Sequence, residues 1–381
     1  MERRIERFLK ERKEEGLLRG LTMVSPSGGG KIRVKGREYV NFSSNDYLGL
    51  AAHPELANAY REALSTAAGS SASRLMTGST DLHHMLEDRV ASFKGKQAAL
   101  VFNSGYQANV GIISALFGKN DCVFSDRLNH ASIVDGIRLS GAKLFRFRHN
   151  DAGHLEELLR RERKNHREAL IVTETVFSMD GDMSPVKEIT RLKKEYNCML
   201  MVDEAHATGI FGEKGSGMVE EAGMSREVDI IMGTFSKALG SFGAYVAASL
   251  AIRDYLVNTC RSFIYSTALP PAVIAANLAA LRVVGNEPHR REALIANAGY
   301  FRQELKDRGF EVRGSSQIVP IITGDNEKAV TMSEFLKEKG YWVTPVRPPT
   351  VPQGQSRLRI SLTFDHSKDI LEKFTSDISE F

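Results

Sequence analysis

Short apolar runs separated by helical or turn segments recur through the middle of the chain. The seven runs are Ala98–Phe102, Cys122–Phe124, Lys143–Phe147, Ala169–Thr173, Met199–Val202, Asp229–Met232 and Ala244–Ala248. Mostly apolar strands that alternate with helices are typical of a largely parallel sheet covered on both faces. The pattern therefore predicts an α/β fold whose large domain is built on a mostly parallel seven-stranded sheet.

The two ends of the chain have different patterns. Ile5, Phe8 and Leu9 have helical spacing, which predicts a short amphipathic helix packing on the body of the protein. Lys31–Val34 and Glu38–Phe42 then predict a hairpin.

The last part of the chain predicts a smaller α+β domain. Tyr341–Val346 is expected to be one strand, and Arg357–Thr363 alternates strictly, so Arg357 and Arg359 share one face. For Arg357 we expect a solvated edge face. The expected division is a helix and hairpin arm at 1–45, a large domain at 46–285 and a small C-terminal domain at 286–381.

Composition excludes several classes of protein. A net charge of +4 over 381 residues is small and does not indicate nucleic acid. No apolar run approaches the ~18 residues that a membrane span needs. The basic N-terminus also carries five glutamates, unlike a transit peptide. Three widely spaced cysteines, Cys122, Cys198 and Cys260, are expected to be reduced in a cytoplasmic protein.

Polar residues follow the predicted strands, where ligands bind in such sheets. They are Asn103 to Gln107, then Asp126, Asn129 and His130, then Glu174 and Ser178, then Asp203, Glu204 and His206, and finally Lys237. Each could be a helix cap or a turn residue. Five strand ends that bring hydroxyls, two histidines, an aspartate and a lysine together predict a site.

Lys237 lies in Gly233–Gly243, a turn between two apolar runs. A desolvated lysine becomes a nucleophilic amine, while Thr234 and Ser236 can donate to a phosphate. Gly240 and the last glycine of the turn would let backbone approach a ligand. The alternative is an ordinary turn lysine that points to solvent.

The run Asp203-Glu204-Ala205-His206 permits two interpretations. It looks like a helicase motif whose carboxylates hold magnesium, but such motors need a Gly-Lys pair followed by Ser or Thr, and Gly30-Lys31, Gly95-Lys96 and Gly118-Lys119 are not followed by either. The other interpretation pairs Asp203 with Lys237. Pyridoxal phosphate needs a lysine for its aldehyde, an acid for its pyridinium nitrogen and a phosphate cup.

Several stretches carry a resemblance that covers nearly the whole chain. They are Asn41–Leu50, His83-x-x-Leu86-Glu87, Asp126–Ser132, Phe177–Asp182, Met201–His206, Thr234–Lys237, Ile264–Thr267 and Arg347–Pro352. On these motifs the chain resembles the α-oxoamine synthases, a family of fold-type I pyridoxal-phosphate enzymes. The Arg347–Pro352 run points to the member that uses L-alanine and a pimeloyl thioester in biotin biosynthesis.

The resemblance implies roles for individual residues. Lys237 would bind the cofactor's aldehyde carbon and move the substrate proton, Asp203 would pair with the pyridinium nitrogen, and His130 would stack on the ring; these three are the expected catalytic residues. Ser178 and His206 would bond the phenolic oxygen side, and Gly105, Tyr106 and Thr234 would hold the phosphate. Arg359 would bind the amino-acid carboxylate, and Arg19 and Thr350 would contact the acyl thioester.

The implied reaction is the decarboxylative condensation of L-alanine with pimeloyl-CoA or a pimeloyl carrier protein, releasing CO2. Glycine with acetyl-CoA, or another pair used in the family, is the alternative. Arg347 is a candidate for the far carboxylate of the pimeloyl chain, although a structural role is open, and Arg74 departs from the glycine-rich pattern of relatives. The family also implies a homodimer, with the hydroxyls of Ile264–Thr267 reaching the neighbour's phosphate. We expect no metal, no nucleic acid and no membrane partner.

Overall fold

The computed structural model describes residues 1–65 and 67–381. The helices are α1 (Glu2–Glu14), α2 (Pro54–Leu64), α3 (Asp81–Lys94), α4 (Gly105–Leu116), α5 (Ala131–Ser140), α6 (Ala152–Glu162), α7 (Val186–Glu195), α8 (Met218–Glu221), α9 (Leu250–Thr259), α10 (Arg261–Ile264), α11 (Pro271–Asn286), α12 (His289–Asp307), α13 (Asn326–Glu338) and α14 (Lys368–Ile378). The strands are β1 (Ser25–Gly28), β2 (Lys31–Val34), β3 (Arg37–Asn41), β4 (Ala98–Phe102), β5 (Cys122–Asp126), β6 (Lys143–Phe147), β7 (Ala169–Glu174), β8 (Met199–Asp203), β9 (Ile230–Thr234), β10 (Ala244–Ala248), β11 (Ile318–Gly324), β12 (Tyr341–Trp342), β13 (Pro345–Val346) and β14 (Ser356–Ser361).

The chain divides into two compact units. The large unit comprises residues 50–178 and 183–291, and the small unit comprises 1–49, 179–182 and 292–381. The three-part division into 1–45, 46–285 and 286–381 stays a prediction.

The large unit contains the predicted seven-stranded sheet, in the order β4-β10-β9-β8-β7-β5-β6. All neighbouring pairs are parallel except those of β10, which runs antiparallel to both β4 and β9. Every residue of β5 and β7 is buried, as expected where helices cover both faces. Consecutive residues Leu170 and Ile171 belong to two different apolar clusters, one on each face of the sheet. The α/β prediction is confirmed.

The small unit contains a four-stranded sheet, β1-β2-β3-β12, and a three-stranded sheet, β11-β14-β13. The prediction of one strand over Tyr341–Val346 is wrong. Tyr341 and Trp342 pair with β3, whereas Pro345 and Val346 pair with β14. The chain changes sheet between them, and the amide of Thr344 donates instead to the Ser43 hydroxyl, 2.9 Å away.

The expectation for Arg357 is also wrong. Its strand β14 lies in the middle of the three-stranded sheet, so it has no free edge. The side chain is buried, with Nη1 2.6 Å from the Asp180 carboxylate and 3.3 Å from the Met179 carbonyl oxygen. A buried guanidinium needs such partners because an unpaired buried charge is strongly destabilising.

The amphipathic helix at the N-terminus forms, but it does not pack on the body as predicted. No residue of α1 is buried, and the exposed fractions of Ile5, Phe8 and Leu9 are 48%, 53% and 46%. Its apolar stripe is therefore left uncovered by the described residues of this chain.

The three cysteines are free thiols and all are buried. Within residues 1–65 and 67–381, no helix combines the length and the apolar character needed to cross a membrane.

Candidate active site

The carboxyl edge of the large sheet carries the predicted cofactor residues. Asp203 ends β8, Thr234 ends β9 and Gly105 begins α4, directly after the loop that follows β4. His130 is the N-cap residue of α5, and Ser178 follows β7 in a half-buried position. All of them belong to the large unit.

Asp203 is buried and its carboxylate is oriented by two donors. Asn109 Nδ2 lies 2.9 Å from Oδ2, and the amide of Ala205 lies 2.9 Å from Oδ1. Asn109 Nδ2 also donates to Ser132 Oγ at 2.9 Å. These contacts fix the direction of the carboxylate, as suits a group that faces a cationic partner.

His130 is held at both its ring and its backbone. Its Nδ1 lies 2.7 Å from Ser132 Oγ, and its amide donates to Glu174 Oε1 at 2.6 Å. Burial lowers the pKa of His130, and the charge of Lys237 adds to that effect while Asp203 opposes it. A neutral imidazole is the form that can lie against a cationic ring without repulsion.

Glu174 ends β7 and is buried beside these groups. Burial, together with the negative charge of Asp203, raises the pKa of its carboxyl to about 8. The carboxyl is therefore protonated at neutral pH in the cofactor-free protein. The sequence marked Glu174 as a strand-end residue but assigned it no role.

Lys237 lies in the turn between β9 and β10, half-buried, with Nζ 2.7 Å from His206 Nε2. His206 itself is buried. At this distance one nitrogen donates to the other, so the amine faces a neighbouring site residue. This geometry contradicts the alternative of a lysine that points to solvent.

The glycines of this turn serve chain packing. Gly240 has a φ of +60°, and a Cβ there would lie 2.3 Å from the backbone nitrogen of Ala51. Gly243 has a φ of +101°, and a Cβ there would lie 2.8 Å from Leu269. Both positions require glycine because protein atoms approach them, whatever ligand is present.

The predicted phosphate cup would combine a helix terminus with two hydroxyls. Gly105 and Tyr106 open α4, whose first-turn amides have no partner within the helix. The hydroxyls of Thr234 and Ser236 lie 2.6 Å apart. Such a terminus favours an anion because the helix dipole and the amides point at it.

Glu204 has a structural role. Its carboxylate forms a buried ion pair with Lys94 at 2.7 Å and accepts from the amide of Val219 at 2.8 Å. These partners leave it unsuited to hold magnesium, which contradicts the helicase interpretation. Among the residues described, no group of three or more metal-ligating side chains is arranged as a metal site.

The predicted substrate residues lie in the small unit, in two clusters. Arg359 is half-buried on β14, with Nη1 2.6 Å from Ser361 Oγ and 3.2 Å from Asn45 Oδ1. Arg19 and Thr350 meet at 2.8 Å between Nη2 and Oγ1. The sequence separated these two residues by 331 positions, and the structure brings them together.

Comparisons with known proteins identify the family of this chain. Residues 37–378 match the family model described as aminotransferase class I and II. An 8-amino-7-oxononanoate synthase of Geobacter sulfurreducens is 50% identical over 377 residues, which cover 98% of this chain and 96% of the relative. The chain belongs to the class I and II aminotransferases, in their 8-amino-7-oxononanoate synthase branch.

Solved structures of the same family share the fold. Serine palmitoyltransferase (SPT) of Sphingomonas wittichii is 32% identical with a TM-score of 0.94, covering 99% of this chain and 96% of that one. A high-resolution structure of SPT with a PLP internal aldimine is 31% identical with a TM-score of 0.92, at coverages of 99% and 96%. The resemblance and the fold type expected from the sequence are confirmed.

The cofactor of this family is pyridoxal phosphate, and the residues present fit it. The large unit offers a buried carboxylate, a lysine amine, a histidine held at the start of a helix and an anion-binding helix terminus. Asn109 also fits a site for a bound molecule, because its Oδ1 is buried without a hydrogen-bond partner among the described residues.

Two residues of this site escaped the sequence analysis. Asn109 and Ser132 link Asp203 to His130 through a chain of hydrogen bonds. Asn109 is one polar residue in a mostly apolar helix, four positions after Gly105. That placement on the face of α4 towards the strand ends is the signal that could have identified it.

Proposed function

We propose that the protein condenses L-alanine with a pimeloyl thioester, giving 8-amino-7-oxononanoate, CO2 and the free thiol carrier, in biotin biosynthesis. The observation that carries the proposal is 50% identity over 98% of the chain with a synthase of that name. The hydrogen bond between Lys237 and His206, close to Asp203, places an amine and a carboxylate of the kind that the reaction requires.

Bound pyridoxal phosphate supplies an electron-withdrawing ring that acidifies the α-hydrogen of an attached amino acid. Asp203 would hold a proton on the ring nitrogen, which would strengthen that withdrawal. Its two donors, Asn109 and the Ala205 amide, fix the direction of the carboxylate.

Lys237 would hold the cofactor's aldehyde carbon, and its amine would move the α-hydrogen of the amino acid. His206, 2.7 Å from Nζ, orients the amine and shares its proton. His130 would cover one face of the ring and exclude water from it. Ser178 and His206 would bond the phenolic oxygen side, while Gly105, Tyr106 and Thr234 would hold the phosphate.

Arg359 binds the carboxylate of the amino acid. Its guanidinium is already oriented by Asn45 and Ser361, so little rotamer entropy is lost on binding. A planar guanidinium can contact both carboxylate oxygens, which an ammonium cannot.

The acyl thioester is bound by Arg19 and Thr350, which meet on the small unit. Arg347 donates to the carbonyl oxygen of Gly16, so part of its hydrogen-bonding capacity holds the N-terminal segment. The rest of its guanidinium can take the far carboxylate of a pimeloyl chain. A carrier protein can replace CoA as donor, because the chemistry at the thioester carbon is the same.

The protein acts as a cytoplasmic homodimer. Large apolar residues of the N-terminal segment support a partner subunit: the exposed fractions of Phe8, Leu21 and Met23 are 53%, 106% and 89%. Tyr265 is 72% exposed and lies in the run whose hydroxyls, by the family resemblance, would reach the neighbour's phosphate. Three free thiols suit a reducing compartment. Sedimentation of the active enzyme tests the dimer, and an active monomer would contradict it.

Turnover with matched substrate pairs tests the reaction. We expect L-alanine with pimeloyl-CoA to give a higher kcat/KM than glycine with acetyl-CoA, measured by release of free CoA. Faster turnover of glycine with acetyl-CoA would contradict the proposal and assign the protein to glycine C-acetylation.

A further inference from the structure

Arg74 and Glu87 form a buried ion pair in the large unit, outside the residues assigned above. The guanidinium makes two parallel contacts with the carboxylate, at 2.7 and 3.0 Å. Their side chains are 8% and 6% exposed. Arg74 also donates from Nε to Ser79 Oγ at 3.2 Å and lies over the ring of Phe263. All five donors of a guanidinium have fixed directions, so this set of partners holds the arginine in one place.

Glu87 connects the pair to the sheet. Its Oε1 accepts from the amide of Val101 at 3.0 Å. Val101 lies on β4, the edge strand, whose other side pairs with β10. The carboxylate thus satisfies an outward amide of the edge, one residue before the end of the strand. This arrangement explains the His83-x-x-Leu86-Glu87 motif as three buried positions on one face of α3.

The loop that carries Arg74 is bonded to the segment 266–269. Ser73 forms a β-bridge with Thr267, and the amide of Ala268 donates to the Ala72 carbonyl at 2.9 Å. Ser70 Oγ donates to the carbonyl oxygen of Leu269 at 2.5 Å. Arg74 therefore stabilises its own loop, and that loop in turn fixes the segment 266–269 by hydrogen bonds.

That second segment reaches the phosphate cup. Asn103 Nδ2 donates to the carbonyl oxygen of Thr267 at 2.9 Å, and Asn103 stands two residues before Gly105. Two paths thus run from the ion pair to the start of α4. One passes through Glu87, Val101 and β4, and the other passes through the loop, Thr267 and Asn103.

We propose that Arg74 is a positioning residue for the phosphate end of the cofactor site and does not contact either substrate. Its ion pair with Glu87 fixes the position of the end of β4, and thereby the position of the first turn of α4. The role of Arg74 then concerns the cofactor and leaves the choice of acyl chain to other residues. This inference rests on the proposed pyridoxal-phosphate site.

Binding of pyridoxal phosphate and of pyridoxal to the full-length, cofactor-depleted protein tests the proposal, because the two ligands differ only in the phosphate. Dissociation constants are measured by spectroscopic titration for the wild type, Arg74→Lys and Glu87→Gln. Arg89→Lys, on the exposed side of α3, is the matched control. Lysine keeps the charge of Arg74 but loses the two-pronged contact, and glutamine keeps an acceptor for Val101.

We expect Arg74→Lys to raise the Kd of pyridoxal phosphate about tenfold, the effect of losing one charge-assisted contact. The Kd of pyridoxal should change less than about twofold, as should the KM of alanine on the cofactor-saturated enzyme. Glu87→Gln should follow the same pattern, and Arg89→Lys should match the wild type.

Four results would overturn the inference. If the variants bind pyridoxal phosphate and pyridoxal equally less tightly, the substitutions cause a general loss of structure. Failure of both variants to fold would mean the same. An unchanged cofactor Kd with a raised KM for the acyl thioester would make Arg74 a substrate contact. If the wild type binds neither ligand, the proposed cofactor site is wrong as well. Failure of the cofactor site can therefore be told apart from failure of the role given to Arg74.

Discussion

The side-chain nitrogens of Lys237 and His206 lie 2.7 Å apart, between the turn after β9 and the loop after β8. One of the two must donate to the other, so the protonation of each depends on its neighbour. A histidine in this position can orient the amine that carries the substrate proton.

Replacing His206 by alanine should therefore slow the reaction more than it weakens binding. Loss of one orienting hydrogen bond of about 1.4 kcal/mol lowers kcat about tenfold. The KM of both substrates should stay within a factor of two or three. Steady-state kinetics checks this, with His289→Ala as a control because that side chain is 61% exposed. An unchanged kcat would show that Lys237 needs no partner there.

Asp203→Asn should keep bound cofactor and lose most turnover. An amide has the same shape but cannot stabilise a protonated ring nitrogen, whereas the phosphate contacts remain. The cofactor content, measured by absorbance, should therefore stay near that of the wild type. The kcat, measured by CoA release, should fall. Near-normal turnover in this variant would remove the role given to Asp203.

Arg359→Lys and Arg357→Lys should have different effects, although the two residues are two positions apart. Loss of a two-pronged contact at Arg359 costs about 1.5–3 kcal/mol, which raises the KM of alanine roughly ten- to a hundredfold. The KM of the acyl thioester should change little. At Arg357 the buried pair with Asp180 is impaired, so the free energy of unfolding should fall.

Kinetics and denaturant unfolding of both arginine variants test this contrast. A raised KM for alanine in Arg357→Lys, with an unchanged one in Arg359→Lys, would reverse the assignment of the carboxylate contact.

Glu174 should make the cofactor-free protein less stable as the pH rises. Its pKa is raised from an ordinary value of 4.5 to about 8, so the folded state keeps a proton that the unfolded state has lost. The free energy of unfolding therefore falls as the pH rises towards 8. The lowered pKa of His130 acts in the opposite direction below about 6.5.

Between pH 6.5 and 8, the change in the free energy of unfolding should thus come from Glu174 more than from His130. We expect a fall of about 1–2 kcal/mol across it, measured by urea unfolding. Glu174→Gln should abolish this fall, and Glu157→Gln, at an exposed position, should leave it unchanged. A fall of the same size in Glu174→Gln would assign the pH dependence to another group.

The sequence predicted the large sheet well because its strands, apart from the edge strand β6, are buried on both faces and so consist mainly of consecutive apolar residues. It also predicted the residues that follow the strands, since parallel strands deliver their carboxyl ends to one edge. This reasoning placed Lys237, Asp203 and His130 among the candidate residues, and their roles stay predictions.

What the sequence missed depends on contacts between distant positions. Asn109 meets Asp203 across 94 positions, and Arg357 meets Asp180 across 177. Strict alternation showed that Arg357 and Arg359 share a face but could not show which neighbours cover it. The apolar stripe of α1 predicted a covered face, yet the periodicity of a helix does not tell whether this chain or another protein covers it.

The proposed reaction is a decarboxylative condensation that depends on Lys237. The most direct measurement is the release of labelled CO2 and of free CoA from L-alanine labelled at its carboxyl carbon and pimeloyl-CoA, with Lys237→Ala as the control. We predict one CO2 for each CoA in the wild type and neither product in the variant. Release of CoA without CO2, or equal release of both by Lys237→Ala, would contradict the claim.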